Sequence, residues 1–206
     1  MKEHIKTIVG FTETKFKEKG SLFIGHSYPI NNETDCTFIL EKLRKEFYDA
    51  THICYAYRLN DDREKYSDDG EPNGTAGVRI LNAIDHFGLT DILLVSIRYY
   101  GGTKLGVGPL GKAYYKSAFD TIENAKVLTV FPYYKIRIYI EVSFVKTIFR
   151  ILSNSKIIQS DYDKGFFIDA YIPCKEYEKI NSEIQTVTKG KSEILFDKTV
   201  IYLEKE

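Results

Sequence analysis

The feature that most constrains the fold is a hydrophobic pattern that restarts after Leu128 and then changes period repeatedly. Residues 130–142 form a long β-rich run, and helical spacing follows over about residues 144–153. Strand patterns come next at residues 156–162 and 165–172, then a helix at 173–188 and a strand at 192–203. Runs of period two and period 3.6 in the order β-α-β-β-α-β predict a split, ferredoxin-like unit. A chain of 206 residues exceeds the usual single-domain size of about 100–150. The break near Leu128 therefore divides it into domains 1–127 and 128–206, and the short junction around residues 125–129 predicts domains that touch.

The first part mixes the same two periods in another order. Residues 4–16 and 22–29 are β-rich and flank Lys17-Glu18-Lys19-Gly20, which reads as a hairpin turn. Cys36, Ile39, Leu40, Leu43 and Phe47 fall at helical spacing after Asn31-Asn32, so a capped helix is expected over residues 33–49. A strand over 51–59, a helix over 75–87 stopped by Gly88, and an apolar strand over 92–99 follow. The last element is a helix over 110–125 with Pro109 in its first turn. The fold class is α+β.

Composition narrows the setting. A hydrophobic fraction of 43% and an aromatic fraction of 14% supply a core. Lys plus Arg and Asp plus Glu both count 29, so any basic binding face must be local. Cys36, Cys54 and Cys174 are widely spaced and make no C-x-x-C pattern, which argues against a disulfide framework or a zinc site and for a reducing, cytoplasmic setting. The first eleven residues carry Lys2, Glu3 and Lys6 and no apolar run that would serve as a signal peptide or membrane span.

Two glycine-rich segments hold the candidate chemistry, and together they are expected to form one functional surface. The first contains Ser67, Asp68, Asp69, Gly70, Glu71, Pro72, Asn73, Gly74, Thr75, Ala76 and Gly77, and leads into a helix. Its amides could receive a phosphate or carboxylate at the positive helix end, with Thr75 as a cap. Asp68, Asp69 and Glu71 would repel such an anion unless they bind a metal, wall a different site or pair with basic groups elsewhere. Turn and cap chemistry alone accounts for most of the segment, which makes it chiefly an architectural clamp. It lacks the spacing of a Walker loop.

The second segment joins a strand to a helix, and no acid occurs from Ile92 through Phe119. Arg98, Lys104, Lys112 and Lys116 make it locally basic, tyrosines including Tyr100 are interleaved, and Gly101 and Gly102 permit close backbone approach. These are the ingredients of a phosphate or single-stranded RNA platform. The competing reading turns Tyr99 and Tyr114 inward and pairs Arg98 with Asp68, Asp69 or Glu71 as a structural lock. His52 and Cys54 share one strand face, but no orienting third residue or oxyanion device accompanies them, so a core histidine beside a buried cysteine is expected. Tyr133-Tyr134-Lys135-Ile136-Arg137 reads as an ordinary alternating strand.

At these segments the chain resembles the YigZ/IMPACT family. The likeness rests on Ala50-Thr51-His52, Cys54-Tyr55-Ala56-Tyr57-Arg58, Ser67-Asp68-Asp69-Gly70-Glu71-Pro72, Gly74-Thr75-Ala76-Gly77, Arg98-Tyr99, Gly101-Gly102 and Lys104-Leu105-Gly106. It covers about the first 125 residues, and the remainder resembles the second domain of bacterial members. The resemblance implies a first domain similar to the fourth domain of elongation factor G and a second similar to its fifth, both associated with ribosome contact. It also implies a link to translation, through RNA or ribosome binding or through a translation-related protein partner. The chain departs from the family's usual pattern at Ile53, Arg79, Tyr100, Thr103, Pro109, Gly111 and Lys112.

The expected function is RNA or ribosome binding through Arg98, Tyr100, Gly101, Gly102, Lys104, Lys112 and Lys116, without a catalytic residue, metal or cofactor. Two alternatives stand beside it. One is a protein-interaction module regulating translation. The other is an enzyme using Asp68, Asp69 and Glu71, with Ser67, Gly74, Thr75 and Gly77 shaping the ligand loop.

Overall fold

The computed structural model describes residues 2–205, without the side chain of Asp197. Ile5–Thr129 forms one compact unit, and residues 130–205, with residues 2–4, form the other. No helix of the described residues is long and apolar enough to cross a membrane.

In the first unit, the expected strand over residues 4–16 is two strands, β1 (Ile5–Val9) and β2 (Thr12–Glu18). Gly10, at φ 72°, breaks the run by adopting the left-handed backbone that a β-branched or bulky residue resists. β2 and β3 (Ser21–Pro29) form a hairpin whose last pair is Glu18 with Ser21. Lys19 and Gly20 are its two loop residues, both at positive φ, 46° and 83°, the conformation that matches the twist of a tight hairpin. Helix α1 (Glu33–Glu46) is capped by Asn32, whose side chain accepts from the Asp35 amide at 2.9 Å.

β4 (His52–Arg58), β5 (Glu64–Ser67), helix α2 (Gly77–Phe87), β6 (Ile92–Tyr99) and helix α3 (Val107–Glu123) complete the unit. β5 has no counterpart among the expected elements. It is a short edge strand of mostly exposed residues, so it carries no apolar alternation. The sheet order is β2-β3-β6-β4-β5, with every described pairing antiparallel.

Both faces of this sheet are covered. Leu93, Val95 and Ile97 of β6 pack with Ile53, Cys36 and Leu43 on the α1 side. Ile92 and Leu94 pack with Cys54, Ile80, Ile84, Leu110 and Tyr114 on the side of α2 and α3. Central β6, buried from Ile92 through Arg98, therefore reads as one apolar run instead of an alternating one. Helix α3 lies very close to β3: a Cβ at Gly25 would sit 2.2 Å from Thr121 Oγ1 and 2.8 Å from the Ser117 carbonyl oxygen.

The second unit follows the predicted order. β7 (Lys126–Ile140) leads through a 3-10 turn to α4 (Val145–Ile151), then β8 (Lys156–Tyr162), β9 (Phe166–Pro173), a second 3-10 turn, α5 (Tyr177–Thr188) and β10 (Glu193–Glu204). Its strands lie in the order β10-β7-β9-β8, all antiparallel, as a split β-α-β-β-α-β unit requires. Ile136, Ile138, Ile168, Ala170 and Ile172 meet Ile148 and Leu152 near α4 and Ile180 and Ile184 of α5. On the opposite side of the sheet, Arg137 grips the Asp169 carboxylate with two bonds of 2.7 and 2.8 Å.

Candidate functional site

The strand pairing of β4 with β6 sets His52 opposite Arg98, and the even-numbered residues of both strands face α2 and α3. The loop after β5 passes over this face, and its carboxylates turn inward. Asp68 accepts hydrogen bonds from three amides, Gly74 at 2.9 Å, Ala76 at 2.8 Å and Gly77 at 2.8 Å. Helix α2 starts at Gly77, with Ala76 as its N-cap residue. The anion received by this helix end is thus the chain's own Asp68 carboxylate, which occupies the amides that an external phosphate would need.

This corrects the expected role of Thr75. Its hydroxyl donates to the Pro72 carbonyl at 2.5 Å and caps no helix. A local cap rule looks two or three residues ahead, whereas Asp68 reaches amides six, eight and nine residues away. Gly74, at φ 75°, permits the turn between them. Gly77 permits the close approach that follows, since a Cβ there would sit 2.7 Å from the Ser67 amide nitrogen.

The other two acids are engaged as well. The Asp69 carboxylate accepts from the Ile53 amide at 2.7 Å and meets Arg44 at 3.4 Å, while the Ser67 hydroxyl accepts from the Asp69 amide at 3.2 Å. Glu71 is buried, at 8% exposure, and one of its oxygens accepts from both Arg98 (2.6 Å) and the Tyr114 hydroxyl (2.7 Å). Among the described residues no group of three His, Cys, Asp or Glu side chains is arranged to hold a metal ion.

Arg98 is buried at 5% exposure. Besides Glu71 it donates to the Ser21 hydroxyl at 3.2 Å, and its guanidinium lies 5.5 Å from the Phe23 ring and 5.6 Å from the Tyr100 ring. The expected contact residue Arg98 is therefore an interior ion pair with Glu71, and its charge is spent within the fold. Cys54 is also interior. Burial pushes its thiol well above the ordinary range, and Sγ donates to the Asp68 carbonyl at 3.0 Å, the environment of an inert core thiol. Burial likewise raises the Tyr114 hydroxyl, which keeps its proton for Glu71. His52 Nδ1 lies 2.8 Å from the Asp69 carbonyl oxygen and Nε2 3.8 Å from Glu71.

The second segment divides at Gly101. A Cβ at Gly101 would fall 1.9 Å from the carbonyl carbon of Gly20, so the loop and the β2–β3 hairpin turn touch backbone to backbone. The Gly101 amide donates to the Ser21 hydroxyl at 3.2 Å, and that of Tyr100 to Thr51 at 2.9 Å. This contact sets the hairpin cation Lys19 beside the segment. Sequence spacing carries no sign of it, because the partners are some eighty positions apart.

Beyond Gly101 the segment opens outward. Gly102, Lys104 and Lys112 are exposed, as is Tyr100. Lys116 is exposed, pairs with Asp120 at 2.5 Å and lies 5.3 Å from the Phe16 ring. A groove of about 460 Å3 lies between α2 and α3, lined by Arg79, Asn82, Val107, Gly108, Gly111, Lys112 and Tyr115, with no carboxylate in its wall. Arg79 is the residue missed by sequence reasoning. Its signal in the sequence was its departure from the pattern of the resembled family, and Gly111 leaves the room its side chain fills, a Cβ there coming 3.3 Å from Arg79 Nε.

Residues 19–122 match the Impact N-terminal domain family. The Bacillus subtilis protein "IMPACT family member YvyE" is 32% identical over 90% of this chain and 87% of its own length. The Escherichia coli protein "IMPACT family member YigZ" is 30% identical over 76% of this chain and 79% of its own length. A crystal structure described as that of a hypothetical protein aligns with a TM-score of 0.69 and 26% identity, over 95% of this chain and 98% of the other. The acid loop, the buried arginine and the glycine contact thus sit within a matched region that runs from the hairpin to the end of α3, and the chain belongs to the IMPACT family.

Proposed function

We propose that this protein binds RNA, free or within the ribosome, through the outward half of the glycine-rich segment. The face consists of Arg79, Lys104, Lys112 and Lys116, with Tyr100, Gly101 and Gly102 at its margin. The observation that carries this reading is a separation of charge by direction: Asp68, Asp69 and Glu71 are all engaged by internal donors, while Arg79 and Lys112 line an open groove free of carboxylates. A neutral chain thereby presents a local basic face, which attracts phosphates whatever their sequence.

The link to translation rests on family membership. The similarity implied between the two units and the fourth and fifth domains of elongation factor G favours ribosomal RNA as the partner, an argument by analogy of fold. Binding is tested by titrating a single-stranded oligoribonucleotide, and separately ribosomal particles, at several salt concentrations. Affinity is expected to fall as salt rises, and a combined Lys104→Glu, Lys112→Glu variant is expected to bind at least roughly tenfold more weakly. Equal affinities for the two proteins would remove the proposal.

A further inference from the structure

We propose that the second unit holds a site for a single nucleotide, in a cavity of about 420 Å3 whose wall includes Phe131, Tyr133, Ser155, Lys156, Lys175 and Lys205. The volume lies within the range of small-ligand sites. The site is independent of the basic face on the first unit.

The sheet register gathers these residues. Tyr133 of β7 pairs with Pro173 at the end of β9, which brings the strand beside Lys175 two positions later. Lys156 at the start of β8 pairs with Tyr171 of β9, and Ser155 precedes it at the close of the turn after α4. Phe131 and Tyr133 lie outside the apolar cluster that joins the sheet to its helices. Lys205 Nζ stands 5.9 Å from the centre of the Phe131 ring, so a cation and an aromatic face belong to the same wall.

Among the described residues, Lys175 and Lys205 stand against one carboxylate, Glu176, in the lining, with Lys156 beside them. The Ser155 hydroxyl is buried and has no hydrogen-bond partner among the described residues, although the Ser155 amide donates to the Leu152 carbonyl at 2.8 Å. A buried hydroxyl of this kind is stabilised by a ligand oxygen. Cations and a hydroxyl suit a phosphate, and aromatic rings suit a planar base, so a nucleoside phosphate satisfies both where inorganic phosphate or a nucleoside satisfies only one. The same chemistry is presented by a free mononucleotide and by one nucleotide of an RNA strand.

The test is calorimetric titration of the full chain with AMP and UMP, with adenosine, with inorganic phosphate and with a single-stranded pentaribonucleotide. A nucleotide-bearing ligand is expected to bind at least about tenfold tighter than adenosine or phosphate. Lys175→Glu with Lys205→Glu is expected to lower that affinity by about tenfold, and Phe131→Leu by roughly as much through lost stacking. Both sets alter lining side chains, and an unchanged melting temperature verifies the fold. Response of the mononucleotides assigns the site to a free nucleotide, and response of the pentaribonucleotide alone assigns it to an RNA strand; either supports the proposal. It is overturned if phosphate or adenosine binds as tightly as the nucleotides, or if the variants leave every affinity unchanged. Because Lys104 and Lys112 are untouched in these variants, loss of the face on the first unit and loss of this cavity are read separately.

Discussion

The two glycine-rich segments of the first unit use the same residue type to opposite ends. In the segment that contains Asp68, Gly74 and Gly77 allow the chain to fold over its own carboxylates, and the acids end on internal donors. In the segment that begins at Arg98, only Gly101 is pressed against other backbone; Gly102, Gly106 and Gly108 have open space where a side chain would go. Runs of charge in a sequence therefore do not predict charge on a surface. The direction taken by the backbone decides it, and one buried arginine marks where the two segments meet.

That junction gives the largest expected effect. Removing one partner of a buried, hydrogen-bonded ion pair leaves an uncompensated charge and costs about 3–5 kcal/mol. Arg98→Ala or Glu71→Ala should each lower the unfolding free energy by about that amount in urea titration. A double variant, Arg98→Met with Glu71→Leu, should recover much of the loss, because it removes both charges together. If Arg98→Ala instead left stability intact and weakened RNA binding alone, the comparison would break, since Arg98 would then belong to the outward half.

Next in size is the glycine contrast. An alanine at Gly101 drives its Cβ to 1.9 Å from the Gly20 carbonyl carbon, and both sides of this clash are backbone. Overpacking of this kind costs roughly 1–3 kcal/mol or more. Gly108→Ala, in the first turn of α3, meets no atom within 4 Å and should leave stability unchanged or raise it by up to about 1 kcal/mol. Thermal melts of the two variants, run side by side, separate the packed glycine from the open one.

Much of the fold was legible in the sequence because short-range periods record it. The order of the second unit was read from the succession of period-two and period-3.6 runs, and β6 was delimited at its true ends because burial on both faces makes an unbroken apolar run. What was lost is what depends on long-range geometry. Gly10 splits the first strand through a backbone angle, β5 is an exposed edge with no pattern, and the contact of Gly20 with Gly101 joins residues remote in the chain. At the candidate site, the pairing of Arg98 with an acid was one of the readings the residues allowed, but only the path of the loop after β5, which carries Glu71 to 2.6 Å from Arg98, selects among the three acids. Arg79 was seen as a departure from the family pattern, and its place in the groove emerges only when α2 packs on α3.

The helix cap comes third. Asp68→Ala frees three amides, and loss of a cap costs about 1–2 kcal/mol. Thr75→Ala breaks one bond to a turn carbonyl, worth about 1 kcal/mol. Urea midpoints should rank Asp68→Ala below Thr75→Ala. The reverse order would restore Thr75 as the cap and reopen the helix end to an external anion.

The smallest expected effect on stability, and the sharpest on binding, belongs to the outward lysines. Lys104 and Lys112 are exposed and form no ion pair among the described residues, so replacing both with alanine should move the unfolding free energy by no more than about 0.5 kcal/mol. On single-stranded RNA each phosphate contact contributes about 0.7 to the slope of log affinity against log salt. The double alanine variant should therefore flatten that slope by about 1.4 if both side chains touch phosphate. A flatter slope with unchanged stability puts the working charge of this surface on the outward half alone, and an unchanged slope sends the search for the partner to a different face of the molecule.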